Sequence, residues 1–183
     1  MVGFAASAPG IHAGSNKLSV FEKIAIVIAT VIVMEMIAWS AHKYVMHGWG
    51  WEWHRDHHEP HDNVLEKNDL FGIVFGSFAI LLFAVGSFVS PFLWWIAMGV
   101  TVYGMIYALI HDGLVHQRFM RWVPRRGYAK RLVQAHKLHH ATVGKHGGVS
   151  FGFVFARNPA RLKADLKAQR EAGIAVVRDA SLA

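Results

Sequence analysis

Apolar residues in this chain are gathered into long runs, and the charged residues fall in the stretches between them. From Ile24 to Ala41 the sequence IAIVIATVIVMEMIAWSA carries a single charge, Glu35. As a helix it crosses most of a hydrocarbon core about 30 Å thick. From Leu70 to Ile110 there is no charged residue at all. One helix through that run would be about 60 Å long, twice the core, so the run must fold back. Ser90-Pro91 near its midpoint supplies the break, because proline disfavours helix in the residue before it and starts the next helix well. The pattern predicts spans over about 24–41, 70–89 and 92–111. The apolar stretch from Val149 to Ala156 is too short for a fourth span and is expected as a short buried or re-entrant segment. Asn158-Pro159 makes an N-cap and first-turn pair for an amphipathic helix over about 159–172, with Leu162 and Leu166 on one face. The fold class expected is all-α, a multi-pass integral membrane helical bundle forming one domain over residues 1–183.

Charge adds an orientation. The formal net charge is +7, but it is unevenly spread. From residue 111 onward there are 14 Lys+Arg against 4 Asp+Glu. With three spans, the 42–69 loop and everything after residue 111 share one face, which collects 17 of the 19 basic residues. Basic flanks select the cytoplasmic side, so the N-terminus is expected outside and the polar regions inside. Residues 1–23 show no basic start followed by an apolar run and a small-residue cleavage site, and are expected to be a short, partly disordered tail rather than a cleaved signal peptide.

Composition narrows the chemistry. There is no cysteine, which excludes disulfides, zinc fingers, thiolate iron–sulfur sites and c-type haem attachment. There are 13 histidines, and ten form a duplicated pattern. The first half holds His42 and His47, then His54, His57 and His58. The second holds His111 and His116, then His136, His139 and His140. Each set follows an apolar run, and the topology puts all of them on one side of the membrane, where they can converge. Positions i, i+3 and i+4 share a helix face, so each HxxHH group can present its imidazoles together. A five-residue step turns about 140° on a straight helix, so the x4 pairs need distortion, frayed helix ends, or different metals.

Ten imidazoles exceed the roughly four to six positions around one ion and suit two ions close together. Neutral nitrogen ligands favour iron, zinc or copper over magnesium or calcium. Zinc is the default for a small tetrahedral site. So many histidines at a membrane edge, without thiolate, favour instead a redox-active di-iron centre using dioxygen, which can break an unactivated C–H bond. Asp56 and Asp112 are candidates to orient ligand imidazoles from outside the coordination shell, with solvated capping as the plainer role. Glu35, inside a span, is a functional candidate by default, with hydrogen bonding inside the bundle as its alternative. Trp49, Trp51, Trp53 and Tyr44 read as an interfacial belt, with guidance of an apolar substrate as the lesser reading. His12, His61 and His146 are expected to be bystanders. No GxGxxG or Walker loop is present, so electrons must come from a separate protein. The basic surface suits an acidic redox partner or anionic lipid, and nothing in the pattern calls for nucleic acid.

These residues carry a resemblance. HKYVMHGWGWEWHRDHHEP, EKNDLFGIVFG, HDGLVHQRF and QAHKLHHA followed by VSFGFVFA, from about Glu35 to Ala156, resemble the bacterial β-carotene hydroxylases of the membrane fatty-acid hydroxylase superfamily. The histidine spacing specifies the superfamily, while HDGLVHQRF and EKNDL separate the chain from ketolases, desaturases and sterol oxidases. The resemblance implies a bacterial inner-membrane enzyme in which all ten motif histidines hold two Fe2+ ions. It also implies hydroxylation at carbon 3 of each β-ionone ring, from β-carotene through cryptoxanthin to zeaxanthin, with dioxygen and reduced ferredoxin or a similar donor. The readings that compete are a carotenoid ketolase or another membrane lipid hydroxylase or desaturase, and, from a different class, a histidine-rich metal-binding or transport protein.

Overall fold

The computed structural model describes residues 18–59, 63 and 65–178. His12 and His61 lie outside the described residues, as does most of the expected N-terminal tail. Helix α1 (Val20–Ser40) begins inside the stretch expected to be tail, because Ser19 and Glu22 form a reciprocal capping box. The S-x-x-E spacing is a helix-start signal that satisfies two otherwise orphaned amides. α1 runs on without interruption into a wider π-helical stretch, Ala41–Trp49, then a kink at Gly48 and the short helix α2 (Trp51–His58).

The second apolar run folds back at Ser90-Pro91. α3 (Asp69–Phe88) and α4 (Pro91–Tyr107) form a hairpin, with Ser90 extended and the proline in the first turn of α4. α4 also continues into a π-helical stretch, Ala108–Val115. Among the described residues, three helices are thus long and apolar enough to cross a membrane: Val20–Trp49, Asp69–Phe88 and Pro91–Val115. Their outer faces carry exposed Ile24, Ile28, Ile32, Ile73, Phe78 and Leu81, the pattern of a lipid-facing surface.

α4 packs against both other spans. The α1–α4 contact is close because position 99 is glycine: a Cβ there would lie 2.5 Å from Thr30 Cβ. Small residues at such crossings let backbones approach where lipid supplies no hydrophobic drive between helices. The membrane core is filled by Met34, Ala38, Ala79, Val100 and Tyr103, and Phe153 is inserted among them from the 149–156 segment. That segment is neither helix nor strand. It enters the bundle as irregular backbone, so its polar groups need partners supplied by the protein.

The polar half is smaller. α5 (Gly127–His140) packs on α6 (Pro159–Glu171) through Leu132, Ala135, Leu138, Leu162 and Leu166. Asn158 caps α6 by accepting from the Ala160 amide at 2.9 Å. β1 (Thr142–Val143) and β2 (Val176–Val177) pair antiparallel, bringing the chain end back over α5. There Arg178 donates to the carbonyl of His58 at 2.6 Å, fastening the end of α2.

Candidate metal centre

All ten motif histidines meet in one place, at the junction of the two π-helical stretches, α2 and α5. Eight of them are less than 9% exposed: His42, His47, His54, His57, His58, His111, His136 and His139. They sort into two groups. His42, His47, His54, His58 and His139 bring ligand nitrogens within 4.8 Å of one another, as do His57, His116, His136 and His140. His111 joins the second group, its Nε2 standing 3.1 Å from that of His57.

The π-helical winding resolves the x4 spacing. Its hydrogen bonds span five residues rather than four, widening each turn. The amide of His116 donates to the carbonyl of His111 at 2.9 Å, and that of Gly50 to Val45 at 2.8 Å. Residues five apart therefore come to one face, and His42 and His47 enter the same group. Neither frayed ends nor different metals are needed for the pair. The HxxHH groups, in contrast, divide. His54 and His58, one straight turn apart, serve the first group, while His57 serves the second. His136 and His140 serve the second, while His139 serves the first.

The outward nitrogen of each ring decides what the inward one can do. His42 Nδ1 donates to the carbonyl of Phe151 at 2.9 Å, His47 Nδ1 to Lys145 at 3.0 Å and His139 Nδ1 to Val149 at 3.0 Å. Carbonyl oxygens only accept, so in the neutral ring the proton is on Nδ1 and Nε2 carries a bare lone pair. Yet His47 Nε2 and His139 Nε2 stand 3.1 Å apart, and so do those of His42 and His54. Two lone pairs at that distance cannot hydrogen-bond to each other. Nitrogens bound about 2.1 Å from a shared cation, roughly 90° to 110° apart, lie about 3.0–3.4 Å from one another. The donor set therefore fits a metal ion in each group. The second group repeats the spacing, with His116 and His136 Nε2 atoms 3.1 Å apart.

Outside the two histidine groups sit residues whose chemistry the sequence left unassigned. Asn68 Oδ1 accepts from His54 Nδ1 at 2.7 Å, and Glu66 accepts from His57 Nδ1. The EKNDL motif thereby holds two imidazoles. Asp69, in the same motif, takes a two-pronged hydrogen bond from Arg118 at 2.8 and 2.9 Å, tying α3 to the loop after α4. Asp112 stands where expected, accepting from His111 Nδ1 at 2.7 Å. Asp56 does not. It points away from the histidine face of α2 and accepts from the Lys67 amide at 2.7 Å, holding the loop that presents Glu66 and Asn68. Phe151 packs edge-on against His42, His47 and His139, and Phe153 stacks on His42 at 4.9 Å. Trp51 lies against His47 and His58. His146 lines a cavity beside His47 but belongs to neither group.

Burial, reinforced by neighbouring imidazoles, pushes the basicity of the site down. His54 is lowered to about 3, and His58 and His116 to about 2. His57, His136, His139 and His140 are held well below the usual imidazole range for the same reasons. The rings are thus neutral, the form in which imidazole binds a metal.

Residues 27–157 match the fatty acid hydroxylase family. The chain belongs to that family. Within it, the chain is 59% identical over 144 residues to a β-carotene hydroxylase of Paracoccus sp. (strain PC1), an overlap covering 78% of this chain and 89% of that one. It is 52% identical over 156 residues to the β-carotene hydroxylase of Pantoea ananas, covering 85% and 89% of the two chains. A chloroplastic β-carotene 3-hydroxylase of Haematococcus lacustris is 42% identical over 135 residues, 69% of this chain and 41% of the longer algal one. No solved structure matches.

Proposed function

We propose that this fatty acid hydroxylase family member is a di-iron, dioxygen-dependent β-carotene 3-hydroxylase. It would convert β-carotene through cryptoxanthin to zeaxanthin in the bacterial inner membrane. The observation that carries the reading is the pair of imidazole groups whose Nε2 lone pairs face one another at contact distance. The similarity to β-carotene hydroxylases at 52–59% identity supports the substrate.

Iron is the metal that gives two all-nitrogen sites a purpose in this family, since hydroxylation consumes dioxygen, two electrons and two protons per C–OH formed and releases one water. Bound iron supplies the oxidising power to replace an unactivated ring C–H by C–OH. The first site would be held by His42, His47, His54, His58 and His139, and the second by His57, His111, His116, His136 and His140. The protein's own part is orientation and exclusion of water. Phe151, Phe153 and Trp51 wall the imidazoles, Tyr107 stacks on His111 at 4.6 Å, and the outward hydrogen bonds fix each ring. A cavity of about 770 Å³ opens beside His47 between Trp39, Tyr44 and Phe155. Its aromatic wall suits a β-ionone ring, with the polyene lying in the bilayer. The excess of basic residues on one face supports a topology with the histidines and the C-terminus on the cytoplasmic side and the N-terminus outside, where reduced ferredoxin or a similar small electron carrier would reach the site.

Expression in a bacterium that accumulates β-carotene, followed by pigment chromatography, tests the activity. Zeaxanthin with cryptoxanthin as the transient species is expected under air. A 4-keto pigment, or unchanged β-carotene alongside iron-loaded protein and a working donor, overturns the assignment.

A further inference from the structure

Glu35 is not a ligand of either group, although it is a carboxylate inside a span. Its oxygens are taken by four donors. Oε1 accepts from three consecutive amides, Phe153 at 3.0 Å, Val154 at 3.0 Å and Phe155 at 2.9 Å. Oε2 accepts from the Tyr103 hydroxyl at 2.7 Å. Within membrane depth, irregular backbone persists only where its polar groups are satisfied by protein. Glu35 supplies that satisfaction for the 153–155 backbone. The fit is close: a Cβ on Gly152 would stand 2.9 Å from Glu35 Oε1 and 2.7 Å from the Phe155 carbonyl.

The carbonyls just upstream of this anchor orient metal-site imidazoles. Phe151 holds His42, and Val149 holds His139. Lys145, at the start of the same connection, holds His47. All three rings belong to the first group. In the second group, His57 and His111 take their outward partners from Glu66 and Asp112, which do not depend on the 149–156 backbone.

Resting on the two-metal reading above, we propose that Glu35 is a positioning residue for one metal site only. By clamping the 153–155 amides it fixes the carbonyls that aim His42 and His139, whereas the outward hydrogen bonds of His57 and His111 in the second group do not run through it. The charge inside the span is thereby explained without direct metal contact. Loss of an outer partner of a metal-bound histidine costs about 10–100-fold in affinity, and Glu35 acts on two such partners together.

The test is a Co2+ titration of the metal-free full chain in detergent, read by visible absorption and by bound metal per chain. It compares the parent with Glu35→Gln, Glu35→Ala and Gly152→Ala. Each is placed in two backgrounds, His57→Ala to disable the second site and His58→Ala to disable the first. In the His57→Ala background, Glu35→Gln, which keeps one oxygen acceptor for the amides, should weaken the remaining site less than Glu35→Ala does. Glu35→Ala should weaken it at least about tenfold and change its Co2+ spectrum. In the His58→Ala background it should change neither. Gly152→Ala should follow Glu35→Ala, because its methyl displaces the carboxylate. Should Glu35→Ala not fold, Gly152→Ala carries the comparison, with Glu35→Gln as the variant that keeps an acceptor for the amides. Equal weakening in both backgrounds, or in neither, overturns the proposal. A parent chain that takes up no second equivalent of Co2+ instead overturns the two-metal reading on which it rests.

Discussion

Acid should loosen the metal-free protein at its centre. In an unfolded chain each histidine titrates near its ordinary value of 6.5, whereas in the folded site His54 is lowered to about 3 and His58 and His116 to about 2. Between those limits the open form binds protons that the closed form refuses. Stability is therefore full above the unfolded value and falls as the pH drops toward the folded values. At about one pH unit below the unfolded value, each such ring costs about 1.4 kcal/mol, so these three alone cost about 4 kcal/mol. His57, His136, His139 and His140 are lowered for the same cause and add in the same direction. That is a large part of the roughly 5–15 kcal/mol that holds an ordinary domain together. Native-state hydrogen exchange of the metal-free protein reads the change locally. Moving from about pH 7.5 to about pH 5.5 should speed opening of α2 and α5 amides by about three orders of magnitude, after correction for intrinsic exchange. The mid-span amides of α3 should not follow. Unchanged protection of α2 and α5 across that range would refute the claim that these seven imidazoles are packed neutral.

His57→Ala and His139→Ala, one from each group, should each bring zeaxanthin below detection by pigment chromatography, and full activity in either contradicts the assignment of both metals to catalysis. Glu66→Gln should weaken the second site about 10–100-fold in a chelator competition, because the carboxylate that makes His57 a stronger ligand is lost; an effect on the first site alone would contradict the grouping. Gly99→Ala should destabilise the folded protein by about 1–3 kcal/mol in detergent unfolding, since its methyl meets Thr30, while Gly104→Ala, with nothing within 4 Å, should not.

The sequence exposed those features that obey simple periodicities. The charge-free run with Ser90-Pro91 at its middle reads directly as a hairpin, and the duplicated histidines read as a converging site. It could not show how the site is shared out. Straight-helix geometry separates His42 from His47 by about 140°. Only the widened winding of Ala41–Trp49 brings them together, and that winding has no composition signal. Glu66 and Asn68 were hidden for another reason. They lie in a short loop where no periodicity applies, and their roles depend on a contact with α2 that only the folded chain creates. Asp56 illustrates the converse error. Sitting inside HxxHH made it look like a partner of the ligands, but it points away from the face that His54 and His58 share. Glu35 was legible as an anomaly and not as a function, because its four donors come from elements far away in the chain.

The exchange of middle histidines between the two groups bears on how the protein is made. Each half of the chain keeps four imidazoles for its own group and lends the fifth to the other: His57 crosses one way and His139 the other. No fragment ending before His139 contains a complete first group, and no fragment beginning after His57 contains a complete second one. A chain with both α1 and the hairpin already inserted still lacks His136, His139 and His140, so neither group is complete. Both groups are thereby completed only when α5 folds back onto the spans, and a chain truncated before His136 holds neither.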